Sequence, residues 1–249
     1  MNIITIPCLS DNYAYLLVQG DSCAVIDPSE AAPVRAVLKR EGLRLTHILN
    51  THHHGDHVDG NLELKAAFGA QVVGPQKDTH RIPGIDVGVS EKTGWQFAGL
   101  PVTVLDVPGH TLGATTYVIE GNAFTGDTLF SCGCGRILEG DPEMMWASLN
   151  KLMALPGDTR LWCGHEYTVK NASFALTLEP ENQPLRMFSN VVRQARAKGT
   201  PTMPSTMKLE KVVNPMLRPQ SAEIRKTLGL QDATDLEVFT EVRARRNRL

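Results

Sequence analysis

The sequence predicts an α/β protein with two sheets in the middle and helices outside, followed by a C-terminal region built of helices alone. Three observations carry that reading. Short apolar runs bounded by turn residues alternate with stretches of helical period; histidines and aspartates beside glycine follow several of the apolar runs; and strand signals fade beyond Tyr167.

Taken in order, residues 3–7, 13–18 and 23–26 read as strands, the last ending at Asp27-Pro28. Val34, Val37 and Leu38 share one face of a helix, and residues 47–49 form a compact strand. Leu62, Leu64 and Phe68 mark a short helix, and strands follow near residues 71–73, 102–107, 115–119 and 123–124. A helix over residues 142–153 and a strand over 160–163 complete this part. Residues 172–178, 185–198, 221–228 and 235–246 then read as helices. Residues 200–219, with Pro201, Pro204, Pro215 and Pro219, read as a connector rather than an element. The expected division is a catalytic domain over residues 1–167 and a helical domain over 168–249.

Composition narrows the class. The chain has 249 residues, of which 42% are hydrophobic and 21% charged, values of an ordinary soluble globular protein with a sizeable core. No apolar run reaches the roughly 18 residues that span a bilayer, and residues 1–7 lack the basic and apolar pattern of an export signal, so no membrane partner and a cytoplasmic location are expected. Five scattered cysteines, an odd number, argue against a disulfide framework and for a reducing compartment. Cys132-Gly-Cys134 is spaced too tightly for a common zinc pair and has no second pair to complete it. Net charge is −2, yet residues 1–166 hold 11 basic and 19 acidic side chains (−8) and the remainder 14 basic and 8 acidic (+6), which points to two regions with different tasks.

The chemistry centres on Thr51-His52-His53-His54-Gly55-Asp56-His57, just past the strand at residues 47–49. A chance His-x-His-x-Asp-His match in a chain of this composition is expected about 4 times in 10,000. Four ionisable groups at a strand end stabilise nothing without a cation to neutralise them, so the cluster is a metal site. Alternate spacing sends His52 and His54 to one side, while adjacent Asp56 and His57 diverge, so that one ion can take the first pair and a neighbouring ion the second; His53 points away. Further ligands are expected where a strand ends in glycine and a polar residue: His110 in Pro108-Gly109-His110-Thr111, Asp127 in Thr125-Gly126-Asp127-Thr128, and His165 in Cys163-Gly164-His165-Glu166. His47 and His80 read as packing or surface residues.

This set of residues resembles the metallo-β-lactamase superfamily over residues 1 to about 167. The resemblance implies an αββα sandwich of two mixed sheets flanked by helices. It also implies that His52, His54 and His110 hold one metal, that Asp56, His57 and His165 hold a second, and that Asp127 bridges both. Two divalent ions per chain are expected, zinc first, with iron and manganese suited by the same nitrogen and carboxylate donors. Such a pair generates hydroxide at neutral pH and polarises a carbonyl, so the expected reaction is hydrolysis of an ester-like bond, with Asp56 orienting the metal-bridging hydroxide.

Lactamases of this fold lack the bridging aspartate, so Asp127 argues against them, and the related nucleases carry large nucleic-acid-binding segments that are not evident here. The stretch Gly126-Asp127-Thr128-Leu129-Phe130-Ser131-Cys132-Gly133-Cys134-Gly135-Arg136, the run Cys163-Gly164-His165-Glu166-Tyr167-Thr168 and the basic helical C-terminus resemble the glyoxalase II family across essentially the whole chain. That resemblance implies cleavage of hydroxyacylglutathione thioesters, chiefly S-D-lactoylglutathione to D-lactate and glutathione. It places Arg136, Tyr167, Arg243 and Arg246 at the glutathione moiety, and leaves Arg245 and Arg248 on the surface. One departure is Leu138, where the family usually has an aromatic residue. Two rivals share the fold: a single-iron glutathione persulfide dioxygenase, and a two-metal phosphodiesterase acting on nucleic acid. The first lacks the long basic helical C-terminus, and the second is opposed by basic residues spread through helices without aromatic interleaving. The expected partner is the small-molecule glutathione thioester, with no nucleic acid, and the expected state is a monomer.

Overall fold

In the computed structural model, which describes residues 1–248, the chain forms two compact units. One comprises Met1–Asp106 and Thr111–Gly126; the other comprises Val107–His110 and the chain from Asp127 onward. They cut the chain elsewhere than at residue 167, because residues 107–110 and 127–167 cluster with the C-terminal helices.

The first unit opens with β1 (Asn2–Cys8), β2 (Asn12–Gln19) and β3 (Ser22–Ile26), paired antiparallel in sequence order. Helix α1 (Ala31–Glu41) then crosses over to β4 (His47–Leu49), which pairs parallel with β3. A parallel pair requires such a crossover, and α1 supplies it with Val34, Val37 and Leu38 turned inward. It stops at Gly42, whose left-handed backbone (φ 66°) lets its N–H reach the carbonyls of Leu38 and Lys39. The short α2 (Gly55–Val58) and α3 (Asn61–Phe68) lead to β5 (Gln71–Pro75) and β6 (Val87–Val89), both added parallel. The resulting mixed sheet has the order β1-β2-β3-β4-β5-β6.

A second set of strands, β7 (Trp95–Phe97), β8 (Leu100–Asp106), β9 (Thr115–Ile119) and β10 (Asn122–Gly126), pairs antiparallel in sequence order. The two sets face each other. Residues of β2 alternate between them: Leu16 packs with Val34, Leu38 and Leu64 on the helical side, while Tyr15 meets Phe124 of β10 at 5.8 Å between ring centroids. Burial on both faces explains why β2 and β3 read as nearly unbroken apolar runs. The three-residue strands β6 and β7 are too short to leave a period in the sequence.

The second unit holds the hairpin β11 (Leu129–Phe130) and β12 (Gly133–Cys134), then α4 (Pro142–Met153), β13 (Arg160–Cys163), α5 (Thr168–Leu178), α6 (Gln183–Ala197), β14 (Ser205–Thr206), α7 (Met207–Val213), α8 (Ala222–Leu228) and α9 (Asp235–Asn247). Helix α4 begins where the sequence places it, with Asp141 accepting the Met144 N–H and proline in the first turn. Helix α9 starts in a capping box formed by Thr234 and Glu237.

The connector expected over residues 200–219 is overturned: Ser205–Thr206 pairs antiparallel with β13, and α7 follows, with Thr206 capping it by accepting the Leu209 N–H. The prolines that suggested a loop lie at Pro201, Pro204, Pro215 and Pro219, leaving ten residues between the middle two, enough for two helical turns. Helix α5 also begins one turn before the expected Ala172, at Thr168. Among the described residues, no helix is long and apolar enough to cross a membrane.

Leu16 is fully buried between β-strand neighbours and the helices of the first unit. The Leu16→Ala variant is expected to lose about 3 kcal/mol of unfolding free energy, measured by urea denaturation, because deletion leaves a cavity that the flanking strands cannot close.

Candidate metal centre

The histidine run lies just past β4, as the sequence indicates. Asn50 N–H donates to the Val73 carbonyl (2.9 Å) and Thr115 N–H donates to the Thr51 carbonyl (2.9 Å), so the backbone is held on both sides up to the first histidine. His52 and His57 are each 1% exposed. Their rings lie 4.1 Å apart, and His52 Nε2 is 3.1 Å from His54 Nδ1. The expectation that Asp56 and His57 diverge does not hold. Residues 55–58 form the helical turn α2 rather than an extended loop, and Asp56 Oδ2 comes within 3.7 Å of His57 Nε2. His53 turns away to Asp78, with 3.2 Å between Nδ1 and Oδ2. His47 is a packing residue, its ring edge-on to Trp95 and Phe97, and burial lowers its pKa. His80 is exposed.

Asp27, read in the sequence only as the end of a strand, is the residue that organises this cluster. Its Oδ1 accepts the Thr51 N–H (2.7 Å), while Oδ2 accepts the Thr51 hydroxyl (2.6 Å) and faces His57 Nδ1 (3.0 Å). It does so from a left-handed backbone (φ 49°), a strained conformation for a residue with a side chain. Gly126 is needed beside it: its φ is +48°, and a Cβ there would collide with the Thr51 side chain. Asn12, also silent in the sequence, donates from Nδ2 to Asp56 Oδ2 (3.1 Å) and to the Asp56 carbonyl (3.0 Å).

In the second unit, Asp127 is 8% exposed, with Oδ2 3.2 Å from His165 Nε2 and 3.6 Å from His110 Nε2. His110 Nδ1 lies 2.7 Å from the Arg136 carbonyl, an acceptor only, so Nδ1 carries the proton. His165 is stacked on Tyr167, 4.8 Å between centroids and 4° between planes.

These contacts bear on what the residues can hold. With Nδ1 of His57 donating to Asp27, and Nδ1 of His110 donating to the Arg136 carbonyl, the other ring nitrogen, Nε2, faces a carboxylate, Asp56 or Asp127 respectively. An imidazole nitrogen and a carboxylate oxygen brought together in each place are a donor pair that can hold a divalent cation. Within the first unit, Asp27, His52 and His57 bring three candidate ligand atoms within 4.8 Å of one another. The donors are imidazole nitrogens and carboxylate oxygens, which suit divalent zinc, iron or manganese. Thiolates do not compete: burial pushes the Cys163 thiol up to about 12, and Cys132, also raised by burial, donates its S–H to the Val213 carbonyl.

A cavity of about 290 Å³ in the second unit gathers the expected glutathione contacts. Arg136, Arg243 and Arg246 line it with Tyr167, Phe130 and Asn171, and no carboxylate is among its described lining residues. Arg246 gives Nε and one terminal nitrogen to Asn171 Oδ1, both at 3.3 Å, and its pKa is lowered first by burial and then by the nearby Arg243. Arg243 is buried and donates to the Cys134 carbonyl at 2.6 Å. Guanidinium groups crowded without a counterion select an anion. A larger groove, about 660 Å³, is lined by Leu228, Leu230, Leu236, Glu237 and Glu241 and has the wrong charge for one. Arg245 and Arg248 both pair with Glu241 at the surface. Leu138 is 56% exposed and does not line the arginine cavity. Phe130 and Asn171 had no sequence signal, since neither belongs to a charged or metal-binding pattern.

Two family models divide the chain: the metallo-beta-lactamase superfamily matches residues 10–165, and the hydroxyacylglutathione hydrolase C-terminus matches residues 166–249. The hydroxyacylglutathione hydrolase of Methylococcus capsulatus is 50% identical, over 99% of this chain and 98% of its own length. That of Ruegeria pomeroyi is 47% identical over 99% and 98%. Among solved structures, ETHE1 from Myxococcus xanthus superposes with a TM-score of 0.68 at 24% identity, covering 99% of this chain and 98% of that one, a likeness of fold. A protein crystallised in a di-iron-bound form gives 0.61 at 25% identity, covering 87% of this chain and all of that one.

The Asp27→Asn variant, which weakens the acceptor behind His57 Nδ1, is expected to lose about 10-fold or more in zinc affinity, the usual cost of disturbing the hydrogen bond that orients a metal-binding imidazole. Competition against a chromogenic chelator measures this. Unchanged affinity would reduce Asp27 to a fastener of the strand end.

Proposed function

The chain belongs to the hydroxyacylglutathione hydrolases of the metallo-β-lactamase superfamily, and from that membership we propose its substrate, its metals and the task of each site residue. It is a hydrolase of hydroxyacylglutathione thioesters. The substrate we assign is chiefly S-D-lactoylglutathione, cleaved to D-lactate and glutathione. The observation that carries the assignment is the arginine cavity: Arg136, Arg243 and Arg246 without a lining carboxylate, together with Tyr167. Glutathione brings two carboxylates and one ammonium, a net negative charge that such a cavity accepts. The catalytic domain is assigned to residues 1–167, and residues 168–249 supply Arg243 and Arg246.

The fold and its clustered histidines and aspartates bind divalent metal. Following the family pattern residue by residue, His52, His54 and His110 would hold one ion and Asp56, His57 and His165 a second, with Asp127 shared. Zinc is the first choice, with iron or manganese as alternatives. When bound, such ions acidify water and polarise a carbonyl, the two needs of thioester hydrolysis. Asp56, steered by Asn12, orients the attacking water and takes its proton. Asp27 and the Arg136 carbonyl keep Nδ1 of His57 and His110 protonated, leaving Nε2 of each available as a donor of its lone pair. The arginines anchor the peptide carboxylates and Tyr167 flanks them. The departing thiolate belongs to a thiol with a pKa of about 8.5, so it leaves without a dedicated general acid. Five free cysteines, all buried, suit a reducing cytoplasm, and we place the protein there as a monomer.

The wild type is expected to hydrolyse S-D-lactoylglutathione, followed by loss of thioester absorbance, and to carry two ions per chain by elemental analysis. One iron per chain with oxygen uptake, and no thioesterase activity, would overturn the assignment. Asp127→Ala should lower kcat by about 100-fold or more and reduce metal content, since the variant removes a shared ligand. Arg246→Ala should raise KM about 10-fold and leave kcat within about 3-fold, the cost of one charge-assisted contact made equally in the ground and transition states.

A further inference from the structure

We infer that Glu210 is a positioning residue for the arginine cavity, acting through the β11–β12 turn; the inference rests on that cavity being the glutathione site. Glu210 is fully buried on α7. Its Oε1 accepts the Ser131 hydroxyl (3.0 Å) and the Ser205 hydroxyl (2.5 Å), and its Oε2 accepts the Cys132 N–H (2.7 Å) and the Asn214 amide (3.0 Å). Ser131 and Cys132 are the two residues that join β11 to β12.

The same helix end completes the hold. Asn214 Nδ2 also donates to the carbonyls of Phe130 (3.2 Å) and Gly133 (3.0 Å), and the Cys132 thiol donates to the Val213 carbonyl (3.2 Å). Cys132 sits at φ +57°, a left-handed conformation that an L side chain adopts only when its surroundings impose it. A two-residue turn between two-residue strands has little pairing of its own to define it, so α7 sets its shape.

What the turn carries makes the hold functional. Phe130 and Cys134, on its two sides, both line the cavity, and Arg136 lies two residues further on. The Cys134 carbonyl accepts Arg243, and the Arg136 carbonyl fixes His110. A shift of the turn therefore moves the aromatic wall and the guanidinium groups together. An apolar side chain at position 210 could fill the same volume, yet it would take away the acceptor of the Cys132 N–H and of the Ser131 and Ser205 hydroxyls.

Burial pushes the Glu210 pKa up, and the hydrogen bonds from Ser205, Cys132, Ser131 and Asn214 only partly offset this. Acceptor geometry rather than charge is what the turn uses. Glutamine can supply it: its oxygen toward Cys132 and Asn214, its amide toward two serine hydroxyls that can rotate to accept.

The experiment compares E210Q, E210L and S131A with the wild type for KM and kcat on S-D-lactoylglutathione, for glutathione binding by calorimetry, and for metal content. The expected result is KM within about 2-fold of wild type for E210Q, raised about 10-fold or more for E210L and raised a few-fold, roughly 3-fold, for S131A, each with kcat within about 3-fold and metal content unchanged. Wild-type KM in E210L, equal damage in E210Q and E210L, or a loss confined to kcat would each overturn it. Should E210L fail to fold, S131A decides: an unchanged KM and glutathione affinity would sink the inference. A wild type without thioesterase activity would instead sink the functional reading, and glutathione affinity across the same variants would then judge Glu210 alone.

Discussion

An imidazole that has given its one proton to an acceptor on Nδ1 must present a lone pair through Nε2, and much of this protein's site chemistry follows from where that rule is enforced. Asp27 enforces it on His57 and the Arg136 carbonyl enforces it on His110. Both enforcing groups are held from elsewhere: Asp27 by two bonds from Thr51, and Arg136 by the hairpin that precedes it. The result is lone pairs directed at carboxylates, a configuration that folding alone does not reward and that a bound cation resolves. Metal affinity in such sites is built into the acceptors behind the ligands as much as into the ligands.

The candidate ligands are legible because they are chemically unusual and close in sequence. His52, His54, Asp56 and His57 occupy six consecutive positions, and His110, Asp127 and His165 repeat one pattern of strand, glycine and polar residue. Regular elements with full periods were equally legible: β9, β13 and α4 lie where apolar spacing puts them. Asp27 was not, since an aspartate before a proline is a common way to end a strand, and its role exists only through a histidine 30 positions away. The mutual approach of Asp56 and His57 was also hidden, because alternation assumes extended backbone and residues 55–58 coil into a turn.

Glu210 and Asn214 illustrate a second kind of illegibility. They sit in a stretch crowded by prolines at both ends, where composition argues for a loop. Proline density reports where a helix cannot continue and says little about the ten residues between Pro204 and Pro215. Within them lies α7, whose Glu210 has partners 78 and 79 positions earlier in the chain. A buried carboxylate is recognisable as such only when its donors are known, and the donors here come from turns, caps and hydroxyls with no sequence period.

The uneven charge of the chain gains a physical meaning from these sites. Residues 1–166 are net −8 and the remainder +6; Asp27, Asp56 and Asp127 of the first lie against imidazoles, and Arg243 and Arg246 of the second line the arginine cavity. Carboxylates beside imidazole lone pairs and guanidinium groups beside one another are both self-repelling arrangements, tolerated at low cost only when occupied. Burial sharpens the second: Arg243 is 6% exposed and the pKa of Arg246 is depressed by desolvation and by its neighbour. A ligand that binds only the folded chain stabilises it by mass action, so occupancy of both sites feeds back on folding itself. Specificity then has a simple origin. On the proposed assignment, a substrate that brings carboxylates supplies the counter-charge the basic cavity lacks, whereas a thioester without the peptide carboxylates leaves the arginines facing one another.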